Sequence, residues 1–209
     1  MAFDLQEQEQ IAELKAAWES WGRFVAGAVV IALIGYLGWT GWNWYANKQA
    51  QAAGDEYSVF EKAYGVDPTK AGAQADALKK DYPNSPFTTR AALLAAKGAA
   101  DAGDTKTATD QLTWVIAHSA ESAVRDAARM SLAAVELDQK QYDVALKTLS
   151  GRENESYTAL FAEARGDVLA AKGDAAGARD AYKDALAKLD KSAGNARFVE
   201  VKLAALGNS

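Results

Sequence analysis

The stretch KQYDVALKTL, residues 140–149, places a tyrosine three residues before an alanine and a leucine four residues after it. On a helix these offsets put Tyr142, Ala145 and Leu149 on one face, with the small residue between two large ones. The pattern recurs along the chain. When Ala145 is aligned with Ala108 and Ala178, the positions four residues later are Leu112, Leu149 and Tyr182, and those twelve residues earlier are Ala96, Ala133 and Gly166. Small residues at two fixed positions let a pair of helices approach closely, and the large one fills the groove beside them.

Turn signals separate the helices of each pair. Ala102-Gly103-Asp104, Gln139-Lys140-Gln141 and Lys172-Gly173-Asp174 occupy equivalent turns, while Asp67-Pro68 and Ser85-Pro86 each put a capping side chain before a proline suited to a first helical turn. A further unit lies upstream, where Ala71, Ala75, Leu78 and Pro83 keep the spacing of a second helix. The intervals between units are 37, 37 and 33 residues, and the pattern resembles a tetratricopeptide repeat, whose period is about 34. DYPNSP, residues 81–86, resembles a repeat end running into the next helix. The fit departs from the repeat in three ways: alanine replaces the usual helix-A aromatic in most units, Glu136 stands where tyrosine is usual, and only the first unit ends in proline. The segment 196–206 is expected to close the apolar face of the last unit, as solenoid ends require.

Upstream of the repeats, RFVAGAVVIALIGYLGWTGWNWYANK, residues 23–48, has a positive charge at each end and none between. Its 24 uncharged residues, Phe24 to Asn47, make a helix of roughly 36 Å, more than the roughly 30 Å of bilayer hydrocarbon. Trp18, Trp21 and Phe24 at one end, and Tyr36, Trp39, Trp42, Trp44 and Tyr45 at the other, suit the two headgroup levels. The 23-residue leader carries Lys15 and Arg23 against Asp4, Glu7, Glu9, Glu13 and Glu19, the wrong sign for a secretion signal. Ala50-Gln51-Ala52 reads as a small-x-small cleavage site, so the cleaved alternative stays open. Gly35, Gly38 and Gly41 give the span a small-residue face on which a partner helix could pack. Lys15 and Arg23 on one side balance Lys48 and Lys62 on the other, so charge does not orient the span. A short tail before a long domain suits a cytoplasmic N-terminus, because long domains cross largely regardless of charge.

The expected organisation is therefore all-α: a short acidic tail at 1–23, a transmembrane helix at 24–46, and a helical-repeat solenoid at 47–209. Net charge is -5, of which the first 23 residues hold -3, so the large domain is near neutral and has no basic field for nucleic acid. The absence of cysteine is compatible with an oxidising compartment.

Chemistry is sparse. The single histidine, His118, lies near a predicted helix end, where interaction with terminal carbonyls is the ordinary role. No nucleophile or acid is spaced to serve it, and no phosphate loop ends in Gly-Lys-Ser or Gly-Lys-Thr. No catalytic residue, metal site or cofactor is expected. A solenoid of helix pairs instead offers a concave surface lined by the first helix of each unit. The repeat frame brings Arg90, Leu93, Lys97, Met130, Leu137, Leu160 and Asp167 there, a mixture of long apolar and charged side chains suited to weak binding of a peptide or of another protein's segment. The competing expectation is that several of them pack against the helix next to the anchor.

Three segments carry a closer likeness: GYLGWTGWNWYANKQAQAAGDEYSVFEKA, LAAVELDQKQYDVALKTL and ARGDVLAAKGDAAGARDAYKDALAK. With these the chain resembles, over almost its whole length, the YfgM family of bacterial inner-membrane proteins, ancillary subunits of the SecYEG translocon. The resemblance implies a single-pass protein with a cytoplasmic N-terminus and a periplasmic C-terminal domain. Its implied partners are the SecYEG translocon, a membrane-anchored periplasmic prolyl isomerase chaperone and unfolded exported chains. It supplies no catalytic motif. The alternative is a general envelope scaffold, a repeat adaptor in another membrane or division complex. A third reading, a secreted hydrolase, would require cleavage after Ala52 and a catalytic set that the sequence lacks.

Overall fold

A computed structural model describes residues 2–189 and 196–207, with side chains from residue 10 onward apart from residue 17. The chain divides into two compact units, Met1–Gln51 and Ala52–Ser209. Helix α1 (Ala2–Val66) contributes to both, and among the described residues there is no strand.

Among the described residues of the first unit the large apolar side chains are exposed. Phe24, Ile31, Ile34, Leu37, Trp39 and Trp42 are all more than half exposed, and α1 is the one described helix long and apolar enough to cross a membrane. A Cβ placed on Gly35, Gly38 or Gly41 would meet nothing within 4 Å. Contacts within the chain therefore do not require glycine at these positions. At the far end of the apolar stretch the Lys48 ammonium lies 4.7 Å from the Trp44 ring centroid.

The second unit is a stack of helix pairs. The end of α1 pairs with α2 (Gly72–Asp81), α3 (Pro86–Asp101) with α4 (Thr105–His118), α5 (Ser122–Asp138) with α6 (Tyr142–Leu149), and α7 (Thr158–Lys172) with α8 (Ala175–Lys188). Helix α9 (Ala196–Ala205) packs on α8, with Val199 fully buried. The aligned positions behave as their spacing predicts. Ala108, Ala145 and Ala178 are fully buried, and Leu112, Leu149 and Tyr182 are buried beside them. The contact is tightest at Gly166, where a Cβ would sit 2.4 Å from the Tyr182 ring. Even alanine would collide there.

The three turns between paired helices repeat at the level of single hydrogen bonds. The Gly103 amide donates to Ala100 and the Asp104 amide to Ala99; Lys140 and Gln141 donate likewise to Leu137 and Glu136, and Gly173 and Asp174 to Ala170 and Leu169. This is the left-handed C-cap that satisfies the last carbonyls of a helix. Gly103 and Gly173 adopt it at φ of +79° and +89°, as glycine does without cost, but Lys140 adopts it at +60° with a side chain attached. The aspartates that follow the glycines then start the next helix: the Asp104 carboxylate accepts from the Thr107 amide and the Asp174 carboxylate from the Gly177 amide. Gln141 makes no such side-chain cap.

Two polar groups inside the stack have opposite fates. Asp126 on α5 is fully buried and accepts from the Glu153 and Asn154 amides, the latter at 2.7 Å, while the Arg129 guanidinium donates to it at 2.9 Å. Arg125 and Arg129 also hold the Glu153 side chain and keep its carboxyl down at about 2. Together these contacts fasten the loop between α6 and α7 to the side of α5. Glu136, in the tyrosine position of the repeat, is less well served. One of its oxygens accepts from the Thr148 hydroxyl at 3.1 Å, the other is buried without a partner, and burial pushes its carboxyl up.

Candidate functional site

The seven residues that the repeat frame assigns to the concave surface divide into three groups. Met130 and Leu137 pack onto the core shared by α5, α6 and α7, and Leu160 is half-buried. The two charged residues farther along are committed within the chain. The Lys97 ammonium pairs with Asp101 at 2.7 Å. Asp167 accepts from the Tyr182 hydroxyl and pairs with Lys202 of α9, each at 2.8 Å, and Lys202 also reaches Glu163 at 2.7 Å. Burial, followed by the hydrogen bond to Asp167, pushes the Tyr182 phenol up.

Arg90 and Leu93 form the third group. They line one groove with Pro83 and Asn84 from the loop before α3, with Pro86 at the first turn of α3, and with His118, Glu121 and Val124 from the junction of α4 and α5. Its volume is about 250 Å³. The floor is apolar, since Leu93 and Val124 both pack onto the core of α3, α4 and α5. The walls are held from behind. The Ser85 hydroxyl accepts from the Phe87 amide to start α3, and buried Thr88 donates to the Tyr82 carbonyl at 2.7 Å, tying α3 to the end of α2. On the other wall the His118 ring stacks on Trp114 with centroids 4.6 Å apart, and its Nδ1 lies 2.9 Å from the Trp114 carbonyl. A carbonyl only accepts, so Nδ1 carries the proton and the ring is fixed in place.

Arg90 is exposed and its guanidinium lies 5.7 Å from the Tyr57 ring centroid. Contact with Tyr57 of α1 is what the competing expectation describes for this one residue. Among the described residues Arg90 makes no ion pair, and the side chains of Asn84, Thr89 and Glu121 make no hydrogen bond. Uncommitted polar groups around an apolar floor can receive a ligand without first breaking internal bonds. The repeat frame finds Arg90 and Leu93 because they lie on one helix face. It misses Asn84, His118, Glu121 and Val124, which come from loops and from the next unit and carry no periodic signal.

No group of three or more His, Cys, Asp and Glu side chains capable of holding a metal occurs among the described residues. The polar clusters described above make internal hydrogen bonds, ion pairs and caps.

Comparison with known proteins covers nearly the whole chain. Residues 15–208 match the family model of the tetratricopeptide repeat-like domain. A protein of Neisseria gonorrhoeae called "Ancillary SecYEG translocon subunit" is 31% identical over 208 residues, covering 99% of this chain and 100% of that one. Proteins of the same name from Escherichia coli and Haemophilus influenzae are each 26% identical, covering 94% and 88% of this chain and 95% and 91% of their own lengths. No solved structure matches. An apolar N-terminal helix, a repeat unit with alanine contacts at fixed spacing and likeness over nearly the full length agree, and the chain belongs to the YfgM family of ancillary SecYEG translocon subunits.

Proposed function

We propose that this chain is a non-enzymatic accessory of the SecYEG translocon, held in the bacterial inner membrane by residues 24–46. Its tail, residues 1–23, lies in the cytoplasm, and the repeat domain, residues 47–209, lies in the periplasm. The observation that carries this reading is the 31% identity over 99% of the chain to a protein named as such a subunit. The exposed apolar stretch of α1 supports the anchor, since such a surface is stable only in lipid or against another protein. The uncommitted groove supports a docking role for the repeat domain.

Two surfaces share the task. Gly35, Gly38 and Gly41 admit a translocon helix, and the repeat domain engages a membrane-anchored periplasmic prolyl isomerase chaperone or an emerging exported chain. Confinement to the membrane raises effective concentration, so each contact can be individually weak.

Extraction of the tagged full chain in mild detergent, followed by identification of co-purifying proteins, tests this reading. Translocon subunits together with a periplasmic chaperone are expected. Recovery of a division or other envelope complex without translocon subunits would establish the scaffold alternative instead. Protease added outside spheroplasts is expected to remove the repeat domain and leave a membrane-bound fragment. A mature chain beginning at Ala53 would exclude the anchor.

A further inference from the structure

We infer that the acidic tail pairs with the tail of a second copy of this chain, side by side and in the same direction, through a seam formed by Ile11, Leu14, Trp18 and Trp21. This rests on the anchor proposed above and gives it a neighbour. The four residues recur at alternating intervals of three and four, the spacing that lays one narrow seam along a helix. All four are more than half exposed. Helix α1 runs unbroken through this segment, so Leu14 and Ile11 stand about 15 and 20 Å before Phe24 along its axis. Headgroups extend only about 5–8 Å beyond the hydrocarbon on each side. The first half of the seam therefore stands in water, and laying it on the bilayer would require a break that α1 does not have.

An apolar seam in water calls for a protein, and the charges favour a like one. Acids beside the seam would select a basic partner, but Glu13 and Glu19 fall on the faces turned away from it. Gln10 and Lys15 flank its start and meet each other across a parallel pair, so no like charges are opposed there. Asp4 and Glu7 hold the two preceding seam positions, which makes Ile11 the first apolar layer. Anchoring supplies the alignment. Both copies enter the membrane in one direction and place Trp18 and Trp21 at one headgroup level, so the seams are parallel and in register before they touch. About two heptads are too short to pair from free solution, but confinement to the bilayer raises the effective concentration. Val25, Ala28 and Ala32 continue the seam into the span, where smaller side chains keep two helices close. Gly38 and Gly41 lie off the seam and stay open to a translocon helix.

The chain has no cysteine, so a single introduced one is its only thiol. Full-length Ile11→Cys and Leu14→Cys in membrane vesicles, treated with a thiol oxidant, are expected to give a disulfide-linked species of twice the 22.2 kDa chain mass. The yield should be roughly tenfold above that of Glu13→Cys and Ala16→Cys, which lie outside the seam and hold the two thiols too far apart. Adding Ile11→Glu to Leu14→Cys sets two carboxylates against each other and is expected to abolish the crosslink. Equal crosslinking around the helix, none at either seam position, a crosslink that survives Ile11→Glu, or an adduct of Leu14→Cys with a chain of another mass would each overturn the inference, the last by making a different protein the occupant. The same vesicles separate the pairing from the anchor: a membrane-bound chain without seam crosslinks sinks the pairing alone, whereas a wild-type chain released by alkaline washing sinks the anchor itself.

Discussion

The first unit and the repeat unit are both rich in apolar residues and use them to opposite ends. In the first, Ile31 is 73% and Trp42 70% exposed, and a Cβ on Gly35 would meet no atom within 4 Å. In the second, Ala108, Ala145 and Ala178 are 0% exposed, and Gly166 has no room for a single methyl group. A surface turned to lipid is specified by polarity alone, because lipid conforms to whatever volume it meets. A surface turned to another helix is specified by volume as well, since protein interiors are packed to crystal-like density. The repeat unit should therefore respond to changes that the first unit ignores.

The largest effect is expected where the repeat unit holds a charge instead of a methyl group. Replacing Asp126 with Ala leaves the Glu153 and Asn154 amides without their acceptor and removes a partner of Arg129. Removing one partner of a buried pair costs about 3–5 kcal/mol, which urea unfolding of the full chain in detergent will read as an early transition.

The contrast in volume is sharpest in a matched pair of enlargements. Ala145→Leu adds three carbons to a closed contact and is expected to cost about 1–3 kcal/mol. Gly35→Leu adds more and should leave the melting temperature of the repeat unit unchanged. It should lower recovery of translocon subunits if that face of α1 receives a partner helix. An Ala145→Leu variant that melts like wild type would mean that the aligned alanines are not packing positions.

A stabilising change follows from comparing the turns with one another. Lys140 occupies the left-handed position that glycine holds in the other two turns, and Lys140→Gly is expected to gain about 1 kcal/mol by removing the Cβ clash. Gln141→Asp restores the missing cap and should gain about 1 kcal/mol more. Both gains are measured by the shift of the urea midpoint at constant slope.

The smallest effects are pH dependences of opposite sign. Glu153, held down to about 2 by Arg125 and Arg129, contributes stability that is complete above its ordinary value of 4.5 and is lost as pH falls toward 2. Glu136 is raised by burial, so the folded chain holds its proton more readily than the unfolded one, and its contribution declines as pH rises from 4.5. Glu136→Gln should therefore raise the melting temperature at pH 7 and change it little at pH 4, whereas Glu153→Gln should lower it at pH 7. The reverse pair of signs would show that neither carboxyl is held as the structure has it.

Position in the repeat made some of this legible and left the rest hidden. The buried alanines, the Leu112, Leu149 and Tyr182 contacts and the three equivalent turns were all readable, because helix periodicity fixes which offsets share a face. The positive φ of Lys140 follows from the same register, since its neighbours in alignment are glycines. The loop clamp at Asp126 was not readable. It joins residues 27 and 28 positions apart through backbone amides, which no pattern of side chains announces. Only Arg90 and Leu93 of the groove were foreseen, and His118 was foreseen as a residue at a helix end but not as a wall beside them.

By itself the sequence determined the all-α class, the apolar N-terminal helix and the register of the repeat, because each depends on local chemistry: the length of an uncharged run, the spacing of small residues, a glycine or aspartate at a turn. Tertiary structure alone decided what surrounds the charged residues whose neighbours come from other helices. Lys97 has Asp101 one turn along its own helix, a pair the spacing already offers, but Asp167 meets Lys202 of α9, and Arg90 rests over Tyr57 of α1 and faces a groove built partly from α5. The free energy of a charge depends on what lies within a few ångströms of it in space, and for residues drawn from different helices sequence spacing does not fix that distance.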